Sequence, residues 1–145
     1  MDWDDYIEFG KKALHWGSNY RKSIRNYPVR SQLEPGHVYN SIPDLPPENP
    51  EKLDDIFEDF KTKIIPGITH WQHPRFFAYF PSNAAPASVF AEMLVNTMGS
   101  QCMLWQTSPA ATELEEKIID WLRIGMGLPS GFKGIIQDTA SSATL

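Results

Sequence analysis

Pro66-Gly67-Ile68-Thr69-His70-Trp71-Gln72-His73-Pro74-Arg75-Phe76-Phe77-Ala78-Tyr79-Phe80-Pro81 is the stretch around which the rest of the chain is ordered. Pro66-Gly67 ends any helix that precedes it. Pro74 and the lack of a 3.6-residue period argue against a helix within it. The run Phe76–Phe80, closed by Pro81, predicts a buried extended segment. His70 and His73 have the i, i+3 spacing of a helical metal pair. Pro74 denies them that helix and spacing supplies no third ligand, so both are read as structural and no metal site is expected.

Upstream, Leu53, Ile56, Phe57, Phe60 and Ile64 repeat on one helical face, with Asn49 as the expected N-cap and Pro50 at the first helical position. Residues 28–50 hold six of the twelve prolines and predict a long extended connection, with a turn at Glu34-Pro35-Gly36. Val38, Tyr39, Ile42 and Leu45 are poor linker residues, so this segment is expected to wrap against a partner surface. The first helix places Trp3, Tyr6, Ile7, Gly10 and Leu14 on one face. Asp2 is its cap, Asp4 and Asp5 suit its positive end, and it stops near Arg25 or Asn26, ahead of Pro28.

Downstream, Val89, Phe90, Met93, Leu94 and Thr97 mark a third helix that starts near Pro86 and ends at Gly99. Ser108-Pro109 caps and opens a fourth, with Leu114, Ile118, Trp121 and Leu122 as its apolar face and Gly127 and Pro129 as its end. Lys133–Gln137 reads as a short strand, and the small polar residues after it turn into a helical pattern. Leu145 falls one turn into that helix, so the chain is expected to be the N-terminal part of a longer or cleaved protein.

Composition bounds the function. With 145 residues, 41% hydrophobic and a formal charge of −5, the chain is neither a disordered acidic tail nor a basic nucleic-acid binder. The lone Cys102 excludes a disulfide framework and a cysteine zinc site, and fits a reducing compartment. No stretch reaches the roughly 20 apolar residues of a membrane helix. The acidic start lacks the basic and apolar regions of a secretory signal, so a cytoplasmic location is expected. Five tryptophans are more aromatic surface than a small helical unit can cover, which points to another domain or a second subunit.

The residues themselves offer one possible site and no catalytic group. Thr139, Ser141 and Ser142 open a helix after a strand, a layout that exposes backbone N–H groups to an anion such as phosphate. An ordinary Asp138 or Thr139 N-cap explains the same residues. No Ser-His-Asp or Cys-His arrangement stands out, and no lysine has neighbours that would lower its pKa for covalent chemistry.

Three motifs taken together carry a resemblance. They are Pro66–Pro81 above, Ser108-Pro109-Ala110-x-Thr112-Glu113-Leu114-Glu115, and Gln137-x-x-Ala140-Ser141-x-Ala143-Thr144-Leu145. In order and separation they resemble the N-terminal part of the pyridoxal-phosphate-dependent aromatic L-amino-acid decarboxylases. The resemblance covers nearly the whole chain, including the acidic start and the Glu34-Pro35-Gly36 turn. It implies an α/β protein of the aminotransferase-like type I fold, of which this chain is a mainly helical part. Residues 1–83 would wrap the partner of a homodimer, and residues 84–145 would begin the large cofactor domain.

The resemblance also implies roles. Ala140 and Ser141 fall where the family holds the cofactor phosphate. Trp71, Tyr79, Phe80, Pro81 and Ser82 fall on the segment that lines the substrate side-chain pocket, where flat walls suit an indole or phenol ring. Ser82 stands where many relatives carry Thr and could bond the substrate carboxylate. Met103 lies near a position that reaches the neighbouring subunit's pocket, where animal relatives often carry Phe. Asp138 and Ser142 stand where animal members commonly have Gly and Glu. The family's Schiff-base lysine, its ring-stacking histidine and the aspartate that pairs with the pyridine nitrogen would lie beyond Leu145. The implied reaction converts an aromatic amino acid to its amine and CO2, the cofactor ring taking up the electrons. An aldehyde synthase of the same family, or a truncated non-catalytic dimerisation module, are the alternatives.

Overall fold

The computed structural model describes residues 3–80, 84–137 and 139–144, the side chain of Ala140 excepted. The chain divides into two compact units, 1–84 and 85–145.

In the first unit α1 spans Trp3–Ser23 and tightens into a 3-10 turn at Ile24–Asn26. Asp4 and Asp5 occupy its first turn and Arg21 and Lys22 its last, each matched to the helix dipole. Helix α2 is a single turn, His37–Asn40. Helix α3, Leu53–Asp59, runs on through a wide π turn at Phe60–Ile64 and a 3-10 turn at Ile65–Gly67. It begins after Lys52, three residues later than Asn49-Pro50 predicts.

Helices α1 and α3 meet through aromatic rings. Phe9 lies edge-on to Phe57 at 5.3 Å, and Trp16 packs on Phe57 at 6.1 Å and Phe60 at 5.0 Å. The packing stripe of α1 is therefore Phe9, Ala13, Trp16 and Tyr20, spaced i, i+4, i+7, i+11. The predicted face is a second stripe, of which Trp3, Ile7 and Leu14 stay exposed. A helix with an apolar arc this wide can bury either edge, and only its neighbour decides which. The π turn has a similar effect. Its extra residue per turn bonds the Ile65 N–H, rather than that of Ile64, to the Phe60 carbonyl, and Ile65 is buried while Ile64 is half-buried.

The proline-rich connection does not extend throughout. Gly36, at φ 88°, turns the chain into α2, with the His37 N–H donating to the Glu34 carbonyl at 3.1 Å. Its first half packs on its own unit: the His70 N–H donates to the Val29 carbonyl at 2.9 Å, and Ser31 Oγ donates to the Pro66 carbonyl at 2.9 Å. Val38 sits so close over Gly67 that a Cβ there would lie 2.6 Å from Val38 Cγ2. Tyr39 and Leu45 remain exposed.

In the second unit α4 spans Pro86–Met98 and stops at Gly99, whose φ of 60° lies in the left-handed region that favours glycine. Ser88 ties the start of α4 back to the Ala85 backbone. Helix α5 spans Pro109–Gly125. Ser108 receives the Thr112 N–H through its carbonyl, at 3.2 Å, and not through its hydroxyl. Arg123 closes the far end by donating to the Leu128 carbonyl at 3.0 Å. Residues 132–137 return along α5, with Gly134 against Ile119 and the Ile136 N–H donating to Glu115 Oε1 at 2.9 Å. The predicted strand at Lys133–Gln137 does not form, and the described residues contain no strand. A strand exists only against a neighbour that completes its ladder, and here a carboxylate takes an N–H that a ladder would use. Helix α6 is the single turn Ala140–Ala143.

Candidate functional site

The aromatic stretch has a buried root and an exposed tip. His70 is 2% exposed and His73 6%, and they are the two polar residues among the buried described residues. His70 sits among the rings of Tyr20 and Tyr27, with centroids 5.6 and 4.8 Å away. Tyr20 Oη and His70 Nδ1 are 2.7 Å apart. Burial, reinforced by neighbouring His73, holds the His70 imidazole below its ordinary pKa. Burial first, then Tyr27, pushes the Tyr20 phenol up against a smaller opposing effect of Arg21. Both shifts keep the phenol protonated and the imidazole neutral, so a single hydrogen bond joins them, its direction set by the imidazole tautomer. His73 Nδ1 accepts the Arg75 N–H at 3.0 Å. Both histidines therefore act in the structure as buried, hydrogen-bonded core residues.

Two consecutive turns rise from this root. The His73 N–H donates to the His70 carbonyl at 2.8 Å, and the Phe76 N–H to the His73 carbonyl at 2.9 Å. They carry a ring cluster in which Trp71 contacts Phe76 at 4.6 Å and stacks on Tyr79 at 5.7 Å with planes 23° apart. The segment predicted to be buried is the opposite. Phe77 is 91% exposed, Tyr79 87% and Phe80 84%, because no layer of its own unit lies over it. Tyr79 has a φ of 51°, which costs a residue with a Cβ on the order of 1–2 kcal/mol. Pro81 and Ser82 lie outside the described residues.

In the second unit Met103 is exposed, on a loop closed by the Thr107 N–H to the Leu104 carbonyl at 3.0 Å. Trp105 Nε1 donates to Glu113 Oε1 at 2.9 Å, which holds this loop to the first turns of α5. At α6 the ordinary cap is formed: Thr139 Oγ1 accepts the Ser142 N–H at 3.1 Å and lies 3.0 Å from Ser142 Oγ. The Ser141 hydroxyl makes no hydrogen bond among the described residues, while the Ser141 carbonyl accepts from Thr144 Oγ1 at 3.0 Å. A hydroxyl beside the N–H groups of a first turn is a donor set that a phosphate can use. Asp138 lies outside the described residues. Among the described residues no group of three or more His, Cys, Asp or Glu could hold a metal ion. Nor is any helix long and apolar enough to cross a membrane.

Two groupings were not foreseen from the sequence. Tyr20 and Tyr27 flank His70, and Tyr20 continues the Phe9–Trp16 spacing, so a second apolar stripe on α1 was the available signal. The Trp105–Glu113 bond spans a loop and left no periodic trace.

The conserved domain of pyridoxal-dependent decarboxylases matches residues 35–145. The chain is 44% identical to tryptophan decarboxylase 2 of Oryza sativa subsp. japonica, covering all of this chain and 30% of that protein. It is 42% identical to phenylacetaldehyde synthase of Arabidopsis thaliana, covering all of this chain and 31% of that protein. The crystal structure of Catharanthus roseus tryptophan decarboxylase in complex with L-tryptophan superimposes with a TM-score of 0.91 at 37% identity, over 97% of this chain and 31% of that one. The chain thus spans about 30% of the length of the relatives it matches. Because the family's domain matches residues 35–145, most of this chain, the chain belongs to the pyridoxal-dependent decarboxylase family.

Proposed function

We propose that this chain is part of a pyridoxal-5′-phosphate-dependent decarboxylase that converts an aromatic L-amino acid to its amine and CO2. One observation carries the reading: within a chain of this family, Trp71, Phe76 and Tyr79 form a ring cluster turned outward from a buried root. Such a surface receives a flat side chain by stacked or edge-to-face contact. In the whole enzyme the fold is α/β, of the aminotransferase-like type I class. Residues 1–83 wrap a second subunit of a homodimer, and residues 84–145 open the cofactor domain. The exposed Trp3, Ile7 and Leu14 stripe of α1 supports the first part. A cytoplasmic location accords with the lone, exposed Cys102.

The chain's residues have separate tasks. The Ala140 and Ser141 N–H groups and the Ser141 hydroxyl hold the cofactor phosphate, with Thr139 keeping the turn in shape. Trp71, Tyr79 and Phe80 flank the substrate ring and, with Pro81, exclude water. Ser82 bonds the substrate carboxylate, and Met103 reaches the pocket of the neighbouring subunit. When bound, the cofactor supplies an electron sink for the pair left by the departing carboxylate. The lysine, histidine and aspartate that complete the family's chemistry belong to the larger part of the relatives' length that this chain does not span.

A second reading is an aromatic aldehyde synthase, favoured by the 42% identity to phenylacetaldehyde synthase. The test is product analysis of the full-length enzyme with L-tryptophan, L-tyrosine and L-phenylalanine. Equimolar amine and CO2 support the decarboxylase. Aldehyde with ammonia supports the second reading, and no CO2 from any of the three rejects both.

A further inference from the structure

We infer that Tyr20, His70 and His73 are positioning residues that transmit the placement of α1 to the Trp71–Tyr79 wall, and so set how well an aromatic substrate ring is held. The inference rests on the reading that this wall lines the substrate pocket. Within its own unit little covers the tip of the wall, since Phe77, Tyr79 and Phe80 are almost fully exposed. Its fixed connection is at the root. There each histidine spends its Nδ1 on one partner: His70 on the Tyr20 hydroxyl, and His73 on the Arg75 N–H. Backbone bonds at His70, His73 and Phe76 then carry that anchorage into the ring cluster. Tyr20 is itself stacked on Trp16 at 5.2 Å, and Trp16 packs on Phe60, so the anchor reaches the α1–α3 contact. Arg21 adds a bond from Nη1 to Gln72 Oε1 at 2.7 Å. Tyr79 keeps its left-handed backbone while stacked on Trp71, as a tip held in place would.

A purely structural role predicts lost stability with KM unchanged, so the KM of His73→Leu separates the two, and its recovery in His73→Asn ties the effect to the Arg75 bond. Asn Oδ1 stands the same number of bonds from the backbone as His Nδ1 and can accept the Arg75 N–H, whereas Leu cannot. Both variants, with Tyr20→Phe and Trp71→Ala, are made in the full-length, cofactor-loaded enzyme and assayed well below their unfolding temperatures. The readouts are steady-state kinetics on the best of L-tryptophan, L-tyrosine and L-phenylalanine, and amide hydrogen exchange over residues 71–80.

His73→Leu should raise KM about tenfold with kcat within about threefold, the pattern of lost substrate binding. Exchange over 71–80 should rise about tenfold as the turn bonds open. His73→Asn should stay within about twofold of the parent on both readouts. Tyr20→Phe, which preserves shape and removes one bond, should move both in the direction of His73→Leu, and it decides the matter if His73→Leu does not fold. Faster exchange with unchanged KM, while Trp71→Ala raises KM, overturns the inference and leaves the pocket reading standing. Unchanged KM in Trp71→Ala overturns the pocket reading and the inference with it.

Discussion

Gly67→Ala sets two effects of known sign against each other. Gly67 is not among the glycines with positive φ, so alanine fits its backbone. On that ground alone the substitution would stabilise the chain by about 0.4–1 kcal/mol, by restricting the unfolded state. The new Cβ, however, would lie 2.6 Å from Val38 Cγ2, with Leu33 Cδ1 at 3.9 Å. Carbon atoms in contact sit about 3.5–4.0 Å apart, so roughly 1 Å must be found. Val38 is β-branched and stiff at χ1, so it cannot swing away cheaply. Overpacking of this kind costs about 1–3 kcal/mol, which outweighs the entropic gain. The expected net loss is about 1–2 kcal/mol. Val38→Ala removes the obstructing methyls, so in the double variant the two changes should couple favourably by about 1 kcal/mol or more. Urea denaturation at low micromolar concentration, followed by tryptophan fluorescence, measures all four corners of the cycle. A Gly67→Ala chain as stable as the parent, or strictly additive changes, would refute the close approach of α2 to the Pro66-Gly67 turn.

Three further predictions follow from the same structure. Tyr20→Phe strands His70 Nδ1 in a side chain that is 2% exposed, and should cost about 1–3 kcal/mol in urea denaturation at pH 8. Because burial holds His70 below its ordinary pKa, the unfolded chain binds more protons than the folded one beneath about pH 6.5. His70's share of stability is thus intact above that pH and is lost as pH falls through it, and the slope of stability against pH should flatten in His70→Asn. Thr139→Ala removes the cap on the Ser142 N–H and should cost α6 about 1 kcal/mol. In the full-length enzyme it should weaken cofactor binding, read by cofactor absorbance, while Thr139→Ser should restore it.

Much of the local structure was legible in the chain. Pro86 and Gly99 bound α4, and Pro109 opens an α5 that ends just before Gly127, because fixed φ at a helix start and free φ beyond its end are properties of single residues. The three motifs, in their order and spacing, resemble the family whose domain the chain matches. His70 and His73 were legible as core residues because Pro74 removes the helix that a metal pair would need.

What the chain did not disclose by itself depends on segments far apart in sequence. Which stripe of α1 packs was decided by Phe57 and Phe60. The anchor of the aromatic wall joins Tyr20 to His70 across 50 residues. The π turn leaves Ile65 more deeply buried than Ile64, a register shift that hydrophobic spacing does not encode. The strand at Lys133–Gln137 failed to form for the same reason: its apolar pattern is local, but a ladder belongs to two segments. Periodicity and capping are settled within a few residues of backbone. Which surface covers which, and therefore which side chains are fixed and which are presented, is settled only where distant segments meet.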